Sequence, residues 1–183
     1  MPPCLRIPAA LLALSFSLPS ISPAEEAVDL QLMHAEVSFP STLRFAPDGR
    51  LFVLETLTGR VIVYPDTASA TTPSVWATLP VFSDGERGLL GMAFHPLFPD
   101  SPYVYLYHTN PDPLVNRLVR MVDSAGVGVQ YTILVDGLTA WSSTHQGGRV
   151  AFGPDGMLYC TVGDQYRPDL QPTSTPPTER STG

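Results

Sequence analysis

From residue 40 onward, short runs of aliphatic, aromatic and β-branched residues alternate with clusters of Gly, Pro, Asp and Ser, and no long stretch keeps a 3.6-residue period. This is the pattern of a strand-and-turn chain. The runs predict ten strands in three sets. Residues 43–46, 50–56, 60–64 and 75–81 form the first, and 89–94, 103–109, 117–122 and 129–135 the second. Residues 149–152 and 157–162 begin a third, after which the pattern stops. Helical signals are nearly absent because Pro recurs too often for uninterrupted turns.

A repeat organises these strands. Phe45-Ala46-Pro47-Asp48-Gly49-Arg50-Leu51-Phe52-Val53 returns 107 residues later as Phe152-Gly153-Pro154-Asp155-Gly156-Met157-Leu158-Tyr159-Cys160. A looser copy runs from Phe94-His95-Pro96 through Asp100-Ser101 to Tyr103-Val104-Tyr105, at spacings of 49 and then 58 residues. Each copy reads as a hairpin. Pro presets φ at the first turn position, Asp bonds the backbone two residues on, and Gly is free to take a positive φ. Four-stranded units recurring at about this period predict a β-propeller of about two and a half blades. A β-sandwich with two Pro-Asp-Gly hairpins is the competing architecture.

Composition narrows the chemistry. All ten basic residues of the 183 are arginines, so reactions that need a lysine amine, a Schiff base or a phosphate-loop Lys are excluded. A net charge of −7 without a basic stripe argues against nucleic acid as a partner. Residues 1–24 read as a secretory signal peptide. Arg6 supplies a minimal basic region, Ile7 to Leu18 an apolar run, and Ser22-Pro23-Ala24 small residues for cleavage. A membrane anchor is the alternative, but the run is shorter than the ~20 residues that span a bilayer, so stable membrane insertion is not expected. Without Cys4 the mature chain keeps one cysteine, Cys160, which cannot form an intramolecular disulfide and falls in an apolar strand pattern as a small hydrophobe. Residues 25–165 are the expected propeller region, and 166–183 a Pro- and Thr-rich tail that cannot continue a strand.

Three stretches hold candidate chemistry. In Thr144-His145-Gln146-Gly147-Gly148-Arg149, an imidazole precedes a glycine pair at the start of the third unit, where it can take a proton near neutral pH or merely bond its own loop. Asp84-Gly85-Glu86-Arg87-Gly88-Leu89-Leu90-Gly91 repeats that layout before the second unit and is also readable as a loop ion pair. Gly163-Asp164-Gln165 can bring a carboxylate back toward the axis. His34, His95 and His108 have no metal-ligand spacing, and no metal site is expected.

Gly85 to Pro96, Asn116-Arg117-Leu118-Val119-Arg120, His145 to Tyr159 and Gly163-Asp164 together closely resemble the glucose/sorbosone dehydrogenase family, the soluble aldose sugar dehydrogenases that depend on pyrroloquinoline quinone (PQQ). The resemblance runs from about Pro40 to Gln165. It implies an all-β, six-bladed propeller of which this chain holds the N-terminal part. It also implies that His145 is the catalytic base taking the proton of an aldose anomeric hydroxyl. Glu86, where the family often has Gln, would line the substrate pocket, and Asp164 would support the histidine and the pocket. PQQ and calcium are the implied cofactors, a periplasmic or secreted site the implied location, and a homodimer the implied full-length assembly. The later blades that hold the cofactor in that family have no counterpart here, so the chain is expected to be a fragment that binds PQQ weakly. The alternative function is a non-catalytic extracellular propeller of the hedgehog-interacting type.

Overall fold

The computed structural model describes residues 37–65 and 72–167. The expected signal peptide lies outside the described residues, as does the expected tail apart from Tyr166 and Arg167. Among the described residues ten strands run in order: β1 Pro40–Phe45, β2 Leu51–Glu55, β3 Arg60–Tyr64, β4 Ser74–Thr78, β5 Leu89–Phe94, β6 Tyr103–Asn110, β7 Val115–Ser124, β8 Val127–Leu138, β9 Gly147–Phe152 and β10 Leu158–Val162. They form three antiparallel sheets whose strand order is the order of the sequence: β1-β2-β3-β4, β5-β6-β7-β8 and β9-β10. Two complete blades and half of a third are the partial propeller that the repeat predicts. Among the described residues no helix is long and apolar enough to cross a membrane.

The repeated turns close in the same way. Gly49 N–H donates to Ala46 O at 2.9 Å, Ala46 N–H to Arg50 O at 2.8 Å, and Arg50 N–H to the Asp48 carboxylate at 3.2 Å. Their counterparts are Gly156 N–H to Gly153 O at 3.0 Å, Gly153 N–H to Met157 O at 2.9 Å, and Met157 N–H to Asp155 at 3.0 Å. The repeat therefore marks the hairpin between the first two strands of each blade.

Several strand boundaries differ from expectation, β4, β7 and β8 among them. Strand β4 ends at Thr78 rather than residue 81, because Pro80 has no N–H to give a ladder and Leu79 N–H instead bonds Gly59 O at 2.9 Å. Strands β7 and β8 are longer than expected, with Ser124 paired to Val127 across a two-residue turn in which Ala125 and Gly126 have φ of 51° and 80°. Two consecutive positive φ values suit the twist of a tight hairpin. An alanine in that conformation carries no turn signal in the sequence.

Blades pack face to face. One apolar layer joins Phe52, Leu54, Val61, Val63 and Trp76 of the first blade to Leu89, Met92, Leu106, Val119 and Met121 of the second. A second layer joins Tyr105, Tyr107 and Leu118 to Val150, with Phe152, Leu158 and Cys160 packed at its border. Cys160 thus takes the apolar role expected of it. The outer end of the first seam is pinned by polar contacts. Asp123 at the end of β7 accepts from Trp76 Nε1 at 2.7 Å and from Arg50 at 2.6 Å, while Arg50 also holds Asp48 at 2.7 Å. Beyond these seams β8 presents Val127, Val129, Tyr131, Ile133, Leu134 and Val135 as exposed side chains.

A histidine is enclosed in the second blade. His108 is fully buried on β6, with Nε2 2.8 Å from the Tyr131 hydroxyl, and burial, helped by the Arg117 charge, pushes its imidazole down to about 4. Above the ordinary histidine value of 6.5 the ring is neutral both folded and unfolded, and stability does not depend on it. As pH falls through 6.5 the unfolded chain takes up a proton that the folded chain refuses until about 4, so the folded state loses stability across that window. The loss should reach ~3 kcal/mol at the acid end. Urea titrations between pH 7 and pH 4 should show this slope, and a His108→Gln chain should lack most of it.

Candidate functional site

The first strands of the three blades, β1, β5 and β9, lie side by side. Ser41 Oγ donates to Leu89 O at 2.7 Å and Thr42 Oγ1 to Leu90 O at 2.9 Å, which ties β1 to β5. Between β5 and β9 the approach is closer still: a Cβ on Gly91 would overlap the Gly148 carbonyl. Only glycine permits that contact, and it brings the loop before β9 against the loop before β5.

These loops are stitched together. Glu86 N–H donates to Ser143 O at 2.7 Å, and a Glu86 carboxylate oxygen accepts the backbone N–H of His145 at 2.6 Å. Arg87 is buried and donates to Ala140 O at 2.7 Å and Trp141 O at 2.8 Å, with Asp84 3.3 Å away. The loop ion pair read from the sequence is present, but the guanidinium also caps carbonyls of the neighbouring loop. From the far side comes the segment after β10. Gly163 N–H bonds Gln146 O at 3.2 Å, and a Cβ on Gly163 would collide with the His145 carbonyl.

His145 stands where the three segments meet. Its φ is +55°, a conformation uncommon for a residue with a side chain and a signature of positions held by their surroundings. Nδ1 lies 2.8 Å from Asp164 Oδ1. An ionised carboxylate there accepts a hydrogen bond from Nδ1–H, which fixes the tautomer and leaves the Nε2 lone pair as the basic atom. With 43% of the His145 side chain and 27% of Asp164 exposed, the pair sits on an open shelf that a ligand can reach. The structure therefore gathers all three residues singled out from the sequence, His145, Glu86 and Asp164, into direct contact. Glu86 reaches the main chain of His145, not its ring, and so braces the strained loop.

Beneath the shelf is a polar layer that the sequence reading missed. Asn116 is fully buried and donates to Thr139 O at 2.7 Å and to the Gln146 side-chain oxygen at 2.8 Å, while accepting from Thr109 Oγ1 at 2.7 Å. Gln146, also buried, donates to Ser142 O. Gln165 is fully buried, takes the Ser142 N–H at 3.1 Å and donates to Thr139 O. Every one of these amides bonds the 139–146 loop and helps to hold it in place. Their sequence signal is faint: a polar residue at the start of an otherwise apolar strand, and polar neighbours of a His or an Asp.

A groove of about 390 Å³ runs beside β1, lined by Ser41, Thr42, Leu43, Arg44, Val53 and Arg149, and does not include His145. Burial, with the Arg149 charge beside it, lowers the Arg44 guanidinium from its ordinary value. Among the described residues no three His, Cys, Asp or Glu side chains group to hold a metal ion.

Comparison with known proteins gives one consistent answer. Residues 37–180 match the family described as Glucose / Sorbosone dehydrogenase. Quinoprotein glucose dehydrogenase B of Acinetobacter calcoaceticus is 32% identical over 159 residues, which cover 79% of this chain and 32% of that protein. A glucose dehydrogenase-type oxidoreductase of Thermus thermophilus is 39% identical, with a TM-score of 0.70 over 76% of this chain and 42% of that one. The PQQ-bound aldose sugar dehydrogenase of Streptomyces coelicolor is 29% identical, with a TM-score of 0.68 over 77% and 42%. The chain thus spans well under half the length of the relatives it matches.

Proposed function

Because the chain belongs to the glucose/sorbosone dehydrogenase family, we propose that its His145 shelf is the proton-accepting part of a site that oxidises the anomeric carbon of an aldose. The observation that carries this reading is the 2.8 Å contact of His145 Nδ1 with Asp164. It leaves Nε2 as the acceptor and places a negative charge beside the imidazolium that proton uptake creates. In the reaction the sugar's anomeric O–H bond breaks toward Nε2, the C–H bond at the same carbon releases a hydride to a two-electron acceptor, and the carbon becomes the carbonyl of a lactone. Glu86 contributes by holding the His145 main chain, and the buried Asn116, Gln146 and Gln165 amides by keeping the loop fixed while charge develops.

PQQ, present in the Streptomyces relative, would supply the two-electron acceptor in a complete site, with calcium as the second proposed cofactor. The residues here do not fit that group by themselves. Both charged side chains bonded to His145 are carboxylates, and the nearby Arg87 guanidinium is turned onto Ala140 and Trp141 carbonyls. An anionic quinone needs cations around it, so the grip on PQQ is assigned to blades beyond those described. The proposed setting is a periplasmic or secreted enzyme, dimeric when its ring is complete.

The test joins residues 37–167 to the later blades of the Streptomyces relative and measures aldose-dependent dye reduction with PQQ and calcium supplied. Activity above that of the later blades alone supports the proposal. A folded hybrid that binds PQQ and leaves aldoses unoxidised overturns it and favours a binding role.

A further inference from the structure

The segment after Asp164 is built in a way that the proton-accepting role does not by itself require. Gln165 and Tyr166 have φ of 51° and 58°, two consecutive side-chain-bearing residues in the left-handed region. Buried contacts of the Gln165 amide with the 139–142 loop hold the first of them. The second is turned back by its own N–H, which donates to Asp164 Oδ1 at 3.2 Å, the same oxygen that faces His145 Nδ1. The result is a phenol ring laid over the imidazole, with centroids 4.0 Å apart and planes inclined by 30°. Tyr166 remains 64% exposed, so this geometry is not explained by burial of the ring in a core.

We propose that Tyr166 is a positioning residue for His145, its ring covering one face of the imidazole so that Nδ1 stays on Asp164 and substrate reaches Nε2 only from the opposite face. This rests on the reading of His145 as the proton acceptor. A hydrogen bond at Nδ1 alone leaves the ring free to swing about that bond, and a second contact on its face removes the swing. Asp164 serves both ends, since one carboxylate oxygen orients the histidine and the backbone that carries the covering ring.

The experiment reads His145 in the 183-residue chain by ¹⁵N and ¹H NMR, with the signal assigned by its loss in His145→Gln. The wild-type ring should populate the Nδ1–H tautomer and show upfield ring-current shifts on its carbon-bound protons. In Tyr166→Leu those shifts should vanish and the Nε2–H tautomer should rise at least threefold, whereas Tyr166→Phe should keep both wild-type signatures. Absence of the ring-current shift in wild type overturns the proposal whatever the variants do, as does a Leu variant with wild-type tautomers or a Phe variant that behaves like Leu. In the hybrid enzyme Tyr166→Leu should lower kcat about tenfold with a smaller change in KM. If the hybrid oxidises no aldose, the functional reading fails while the NMR result still decides whether Tyr166 orders the ring.

Discussion

Replacing His145 by glutamine in the hybrid enzyme is expected to lower kcat for aldose oxidation by ~10²–10⁴-fold, the usual contribution of a positioned general base. Glutamine is close in size and can still donate to Asp164, so the loop should keep its shape and KM should change little. What it lacks is a basic atom at the Nε2 position. The measurement is steady-state dye reduction over a range of aldose concentrations, with PQQ loading checked by absorbance. A variant that loads PQQ and retains more than a tenth of the wild-type kcat would remove His145 from the proton-transfer role. A rise confined to KM would assign it to sugar binding instead.

The largest effect on stability is expected at Trp76. Its side chain is fully buried in the seam between the first two blades, meets Phe52 edge to face with centroids 5.8 Å apart, and lies so close to Gly128 that a Cβ there would overlap its ring. Truncation to alanine removes the indole from both sheets and takes one donor from Asp123, which keeps Arg50. Loss of an aromatic side chain of this size from a core costs ~3–5 kcal/mol. Thermal or urea unfolding of the 183-residue chain should show that loss, and Trp76→Phe should recover part of it through area while leaving the Asp123 bond unmade. A Trp76→Ala chain within about 1 kcal/mol of wild type, the range of a surface change, would mean that the seam is not a cooperative part of the fold.

Strand order was legible because it rests on signals local to the chain. Pro-Asp-Gly turns and β-rich runs are read within a few residues, and both Pro-Asp-Gly turns do close by the hydrogen bonds their side chains imply. His145, Glu86 and Asp164 were singled out through motif order, since a glycine lies within two residues of each and marks where backbones meet. Less readable was what each does. Glu86 looks like a pocket residue in the sequence and is found on the main chain of His145. Asn116, Gln146 and Gln165 stand within the motifs but drew no role, because a buried amide and an exposed one are the same letter, and only the packing of three separate segments buries them. Tyr166 escaped notice for a similar reason: its place over His145 depends on two left-handed residues that nothing in Asp164-Gln165-Tyr166 announces.

The agreement between strand order and sequence order has a kinetic consequence. Among the described residues every strand pairs only with its neighbours in the chain, so the hairpins within a sheet close over short loops, and such contacts form early at small entropic cost. Seams between blades, and with them the meeting of Glu86, His145 and Asp164, bring together segments much farther apart in the chain and belong to a later step. A ribosome releasing this chain would therefore free each blade's hairpins as a finished set, and the shelf that carries the chemistry would be among the last features to assemble.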